Sequence, residues 1–400
     1  MGVIEWLCDI RFHRSLVLPP NPETNRTKPL RVSYADYGDK DSDAVVLFCG
    51  ALMGMRMCYS PLDQLAKLHR VRIIHPDRPG VGGSDPVTQQ ERIAIWLEIV
   101  PHLLQHLRIP YVSLASHSGG DIYLLNTVLT HPHLLHPKNP YVTFFAPWVH
   151  HSHSGVSSLR ATELLPAPLI GKFASVARFV NQNVVPLAGL SGTLLHGIRD
   201  SFTHSTPAPA PVPLMPTATD GSGTTPVPSR NADNASDLDL NDPKIVEELR
   251  MLIVQYLFAE QTEGVSMDAQ LFLKKPQTTH WCSPDIFWSD IDDAVPLIKK
   301  LIRDEGAAGG GEGRNWMFTS FHAEEDSMVG EKGRTWFDAC WTKDADGEPQ
   351  DDAGDGNGKF RYESKIVPKS DHNYLMDPAF QASNIWLEGV RAAFPPLEEV

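Results

Sequence analysis

Among the residues that could do chemistry, Ser118 has the most informative surroundings. An apolar run at 111–115 reads as a buried strand, residues 122–130 read as a helix, and between them lies Ser116-His117-Ser118-Gly119-Gly120. A serine on a sharp strand-to-helix turn needs small residues two before and two after it, because the turn presses the two backbones together. Ser116 and Gly120 meet that need for Ser118, whereas Ser116 itself would need a small residue where Leu114 stands. Such a serine either caps the helix that follows or acts as a nucleophile. The second role requires a base to take the hydroxyl proton and an acid to orient the base. The chain has 17 histidines, so position must choose among them. His372 is the candidate base, since it follows the last strand-like run and precedes a final helical stretch. Three carboxylates, Glu324, Glu325 and Asp326, follow the strand-like run at 316–321 and are candidate acids. The run at 141–147 continues as Trp148-Val149-His150-His151, with no carboxylate close by.

These residues need a frame to bring them together. Residues 31–38 alternate as a half-buried strand does, and 44–49 form a short continuous apolar run ending at Gly50. Further strands are expected at 71–77, 111–115 and 141–147, with helices at 61–69, 90–107 and 122–130 between them. Such alternation predicts a parallel sheet covered by helices on both faces. It stops after residue 150, where only helix-like stretches such as 168–180 and 244–260 appear. It resumes with strands at 316–321 and 362–367. Within the interruption, residues 205–238 are rich in Pro, Thr, Ser and Ala and hold too little apolar surface to fold alone.

The serine turn and its flanks together resemble the α/β-hydrolase family of serine hydrolases, esterase- or lipase-like with a large cap. The run Val45–Gly54 is similar to the family's strand and glycine loop, with Cys49-Gly50 where the family usually has His-Gly. That likeness implies that the Ala51 and Gly119 amides face a developing oxyanion. The segment Asp77–Asp85 resembles the family's D-x-x-G-x-G-x-S loop and is expected to shape the site. A dinucleotide-binding reading of its glycines fails, since Asp85 stands at the third glycine position and no helix pattern opens after it. The segment Ala323–Val329 resembles the family's G-x-x-D followed by an apolar pair, with Ala323 in place of the glycine, and so implies Asp326 as the acid in the family order of serine, acid, histidine. What the resemblance implies is a core at residues 30–150 and 290–400, with a helical cap at 150–290 inserted after the sixth strand. It also implies acyl transfer at an ester or thioester through Ser118, His372 and Asp326, with no cofactor. A serine nucleophile argues against dehalogenase or epoxide hydrolase chemistry, where the family uses a carboxylate. A binding or scaffold protein on the same fold is the competing reading.

Composition narrows the partners. The formal net charge of -14 and the lack of any basic stripe argue against nucleic acid and against an anionic membrane surface. An apolar acyl compound suits the apolar cap better. The uncharged stretch 179–198 contains Pro186 and three glycines, which argues against a spanning helix and leaves peripheral lipid contact open. No Cys, Asp or Glu completes a metal set around His150, His151 and His153, so no metal is expected. Five scattered cysteines, with Glu5, Asp9 and Arg11 breaking any leader-like apolar run, make the cytoplasm the expected compartment.

Overall fold

The computed structural model describes residues 2–179, 237–308, 313–343 and 359–395. Its eight strands are β1 (Arg14–Leu18), β2 (Leu30–Gly38), β3 (Val45–Cys49), β4 (Arg72–Pro76), β5 (Ser113–His117), β6 (Tyr141–Phe145), β7 (Asn315–Ala323) and β8 (Lys359–Val367). They form one sheet in the order β1-β2-β4-β3-β5-β6-β7-β8. Only the β1–β2 and β2–β4 pairs are antiparallel; the other pairs run parallel.

Side chains along a strand point alternately to opposite faces, and here both faces are buried. In β3, Val46 and Phe48 join the core under the helices Leu62–Leu68 and Gln381–Ala393. Val45, Leu47 and Cys49 join the core under Arg92–His106, Gly120–Thr130 and Ile291–Ala308. Double burial is why these strands read as continuous apolar runs. Each fully buried large apolar side chain is worth roughly 1.5–3 kcal/mol.

Two differences from the sequence expectations matter for the site. The fifth strand is Ser113–His117, beginning and ending two residues later than expected, because Tyr111 is exposed outside the sheet. It therefore ends directly at Ser118. The sheet also starts before residue 30: β1 pairs with β2, and Trp6, Leu7 and Phe12 are fully buried.

The described part of 150–290 contains helices and no strand: Ser157–Ala161, Ala167–Ile170, Phe173–Phe179, Pro243–Ala259 and Glu263–Phe272. Of the Pro-rich stretch 205–238, all but Asp237 and Leu238 lies outside the described residues, as do residues 180–198 of the uncharged stretch. Among the described residues, no helix is long and apolar enough to cross a membrane.

Candidate active site

The end of β5 forces a tight turn. Ser118 has φ 50°, a left-handed conformation that costs a non-glycine residue energy. Its amide donates to the Phe145 carbonyl at 2.9 Å, which fixes the turn against β6. A Cβ on Gly120 would lie 2.1 Å from the Cys49 carbonyl oxygen, so only glycine fits there. The need for small residues is thus a matter of contact between the new helix and the end of β3.

The structure brings Ser118, His372 and Asp326 into one line. His372 Nε2 lies 2.8 Å from Ser118 Oγ, and His372 Nδ1 lies 2.8 Å from Asp326 Oδ2. The remaining carboxylate oxygen, Oδ1, accepts the amides of Met328 at 2.9 Å and Val329 at 2.8 Å. Burial raises the Asp326 pKa, but His372 and the two amides outweigh it and hold the carboxyl at about 2. Glu324 and Glu325 are both exposed, and Glu324 accepts the Lys369 amide instead. Ser118 and His372 are 5% and 2% exposed, so both side chains sit away from bulk water.

The structure places the two expected oxyanion donors differently. Gly119 N–H has no acceptor among the described residues, and the Phe272 ring lies where a Cβ at position 119 would stand. The Ala51 amide is engaged: it donates to the Tyr59 hydroxyl at 3.0 Å. That hydroxyl lies 2.8 Å from His117 Nδ1, and His117 Nε2 lies 2.8 Å from the His372 carbonyl oxygen. A carbonyl can only accept, so His117 Nε2 carries the proton and Nδ1 accepts from Tyr59. Burial, with the neighbouring His372, lowers the His117 pKa to about 4 and keeps it neutral. His117 and Tyr59 thus link the His372 loop to the loop after β3. Sequence reasoning missed both; no local signal marks Tyr59, and His117 draws notice only as a neighbour of the serine.

Arg78, in the loop Asp77–Asp85, is a third such residue. Its guanidinium donates to the carbonyls of Gly50, Ala51 and Leu52, while Nε donates to Asp268 at 2.7 Å. Asp268 belongs to the cap helix Glu263–Phe272 and also accepts from Arg92 and Tyr123. No group of side chains suited to a metal ion occurs among the described residues, and His150, His151 and His153 form no such group. The Cys49 thiol is buried, and burial pushes its pKa far up.

No family model matches the chain, and no curated protein does. Among solved structures, the protein DbjA aligns with a TM-score of 0.50 at 11% identity, covering 96% of this chain and 99% of that one. An enol-lactonase from Burkholderia xenovorans LB400 aligns at 12% identity over 94% of this chain and 99% of its own, with a TM-score of 0.48. A carboxylesterase of the thaumarchaeon Nitrososphaera gargenis does so at 12% identity over 94% and 98%, with a TM-score of 0.46. Sheet order, a single antiparallel β2 inside an otherwise parallel core, and the DbjA likeness agree. The chain has the α/β-hydrolase fold.

Proposed function

We propose that the protein is a serine hydrolase that cleaves a carboxylic ester or thioester through an acyl-enzyme. One observation carries this reading: the unbroken line from Asp326 through His372 to Ser118, with 2.8 Å at each step, ending on a serine in a strained turn. In the reaction, Ser118 Oγ attacks the substrate carbonyl carbon while His372 Nε2 takes the hydroxyl proton. The negative charge that forms on the carbonyl oxygen is met by the Gly119 amide and by an amide of the loop after β3, where the sequence points to Ala51. Collapse expels an alcohol or thiol, protonated by His372. Water then attacks the acyl-serine with its proton going to His372, and the acid leaves as Ser118 recovers its proton. Asp326 stays ionised and holds the imidazole in the tautomer this needs.

An apolar acyl group is the substrate class in keeping with the surroundings, since the Phe272 ring lies against Gly119 and packs near Trp148. The acidic chain is taken to have no nucleic-acid partner and to work in the cytoplasm. The rival reading, a binding protein on this fold, has the near-complete burial of Ser118 in its favour. A fluorophosphonate probe separates them: covalent labelling of Ser118 with turnover of short acyl esters is expected. A properly folded protein that neither labels nor turns over any ester in a chain-length series is the binding protein.

A further inference from the structure

In a trans peptide, the carbonyl of one residue and the amide of the next point in opposite directions. Arg78 draws three successive carbonyls, those of Gly50, Ala51 and Leu52, toward one guanidinium. The amides of Ala51, Leu52 and Met53 must therefore face away from it. The first of them is taken by the Tyr59 hydroxyl, while those of Leu52 and Met53 have no acceptor among the described residues. Successive amides turned to one side form a pocket for negative charge. The loop that carries these amides starts beside the serine turn: Cys49 is level with Ser116 in the sheet, and a Cβ on Gly120 would come 2.7 Å from the Gly50 carbonyl oxygen.

We propose that Arg78 is a positioning residue for oxyanion stabilisation, turning the loop so that the Leu52 amide, rather than the Ala51 amide held by Tyr59, acts with Gly119. Arg78 touches no reacting atom; it acts through the peptide planes it orients. Its guanidinium is also paired with Asp268 of the cap helix. The buried, planar fork suits the task, because its separate nitrogens reach the three carbonyls while Nε holds Asp268, whereas a lysine presents its donors from a single nitrogen.

This inference rests on the serine-hydrolase reading, and the test separates the two. Arg78→Lys is compared with Arg92→Lys, which also loosens Asp268 but donates to the Pro79 carbonyl and to no carbonyl of residues 50–52. Expected for Arg78→Lys is a fall of about 10²-fold in kcat and in the fluorophosphonate labelling rate, the scale seen when one oxyanion donor is lost. KM and the pH midpoint of the rate profile should stay put, since binding and His372 are untouched. Arg92→Lys should lose melting temperature while keeping kcat within about threefold, well short of the loss expected of a donor. Equal losses of kcat in the two variants, or a folded Arg78→Lys with wild-type kcat, would overturn the proposal. Should Arg78→Lys not fold, the wild type decides. On phosphonylation the Leu52 amide proton resonance should move downfield while that of Ala51 does not; movement of Ala51 alone overturns it. A wild type that does not label at all brings down the hydrolase reading and this inference together.

Discussion

At the scale of single residues, the serine was legible because its constraint is local: two small neighbours and a strand-to-helix change are visible in five letters. Ser118→Ala should abolish fluorophosphonate labelling, measured by gel fluorescence, while Ser116→Ala leaves it measurable; persistent labelling of Ser118→Ala moves the nucleophile elsewhere. The candidate acid was only narrowed to three neighbours by the residues themselves, since strand-end loops do not announce which carboxylate turns inward. In the structure Asp326 faces His372 while Glu324 and Glu325 face solvent. Asp326→Asn should therefore lower kcat by roughly 10³–10⁴-fold with the fold intact, and Glu325→Gln should leave it near wild type. The same carboxylate carries a pH signature. Its folded pKa of about 2 lies below the ordinary 3.8, so its ionised form stabilises the protein fully above pH 4. That contribution, of order 2 kcal/mol, is lost as pH falls from about 4 toward 2. Wild type should thus lose more unfolding free energy than Asp326→Asn over that window, read from urea titrations. Tyr59, His117 and Arg78 were not legible in their roles, because each acts on a loop reached only through the tertiary fold.

Elements were legible in proportion to how completely they are buried. The central strands β3 to β7 have both faces covered, so apolar runs betray them; β1 is a five-residue edge strand with half-exposed, alternating positions, too short for its period to stand out. Near the site, the helix Gly120–Thr130 starts directly against the end of β3. There, Gly120→Ala would put a methyl 2.1 Å from a backbone oxygen that cannot swing aside. The helix would have to lift from the sheet, at a cost of at least the 1–3 kcal/mol typical of overpacking, roughly. Calorimetry should show a lowered melting temperature, with Ser118 labelling reduced as the elbow opens. A variant as stable and as reactive as wild type would mean that the elbow is not held by this contact.

At the scale of the whole molecule, what joins cap to core was the least legible part, since its residues are nearly two hundred positions apart. The loop Asp77–Asp85 meets the cap through backbone bonds, Gly82 N–H to the Gln261 carbonyl and Gly264 N–H to the Gly80 carbonyl, each at 2.8 Å. Beside these contacts, Asp268 sits between Arg78 and Arg92, with side-chain exposures of 0%, 3% and 0%. Desolvating three ions is costly, and the arrangement holds because every guanidinium face also finds a carbonyl or the Tyr123 hydroxyl. Asp268→Ala would leave two buried cations with no counter-charge. Breaking a buried pair in this way costs about 3–5 kcal/mol. In a chain of this size, that corresponds to a fall in melting temperature on the order of 5 °C. The loss should be felt first in the cap helix Glu263–Phe272, whose amides should exchange with deuterium faster than those of β5 or β6. Because Phe272 leaves Gly119 when that helix lifts, labelling of Ser118 by a bulky probe should speed up relative to a small one. Uniform exchange across cap and core would show instead that Asp268 supports the whole fold and not the seating of the cap.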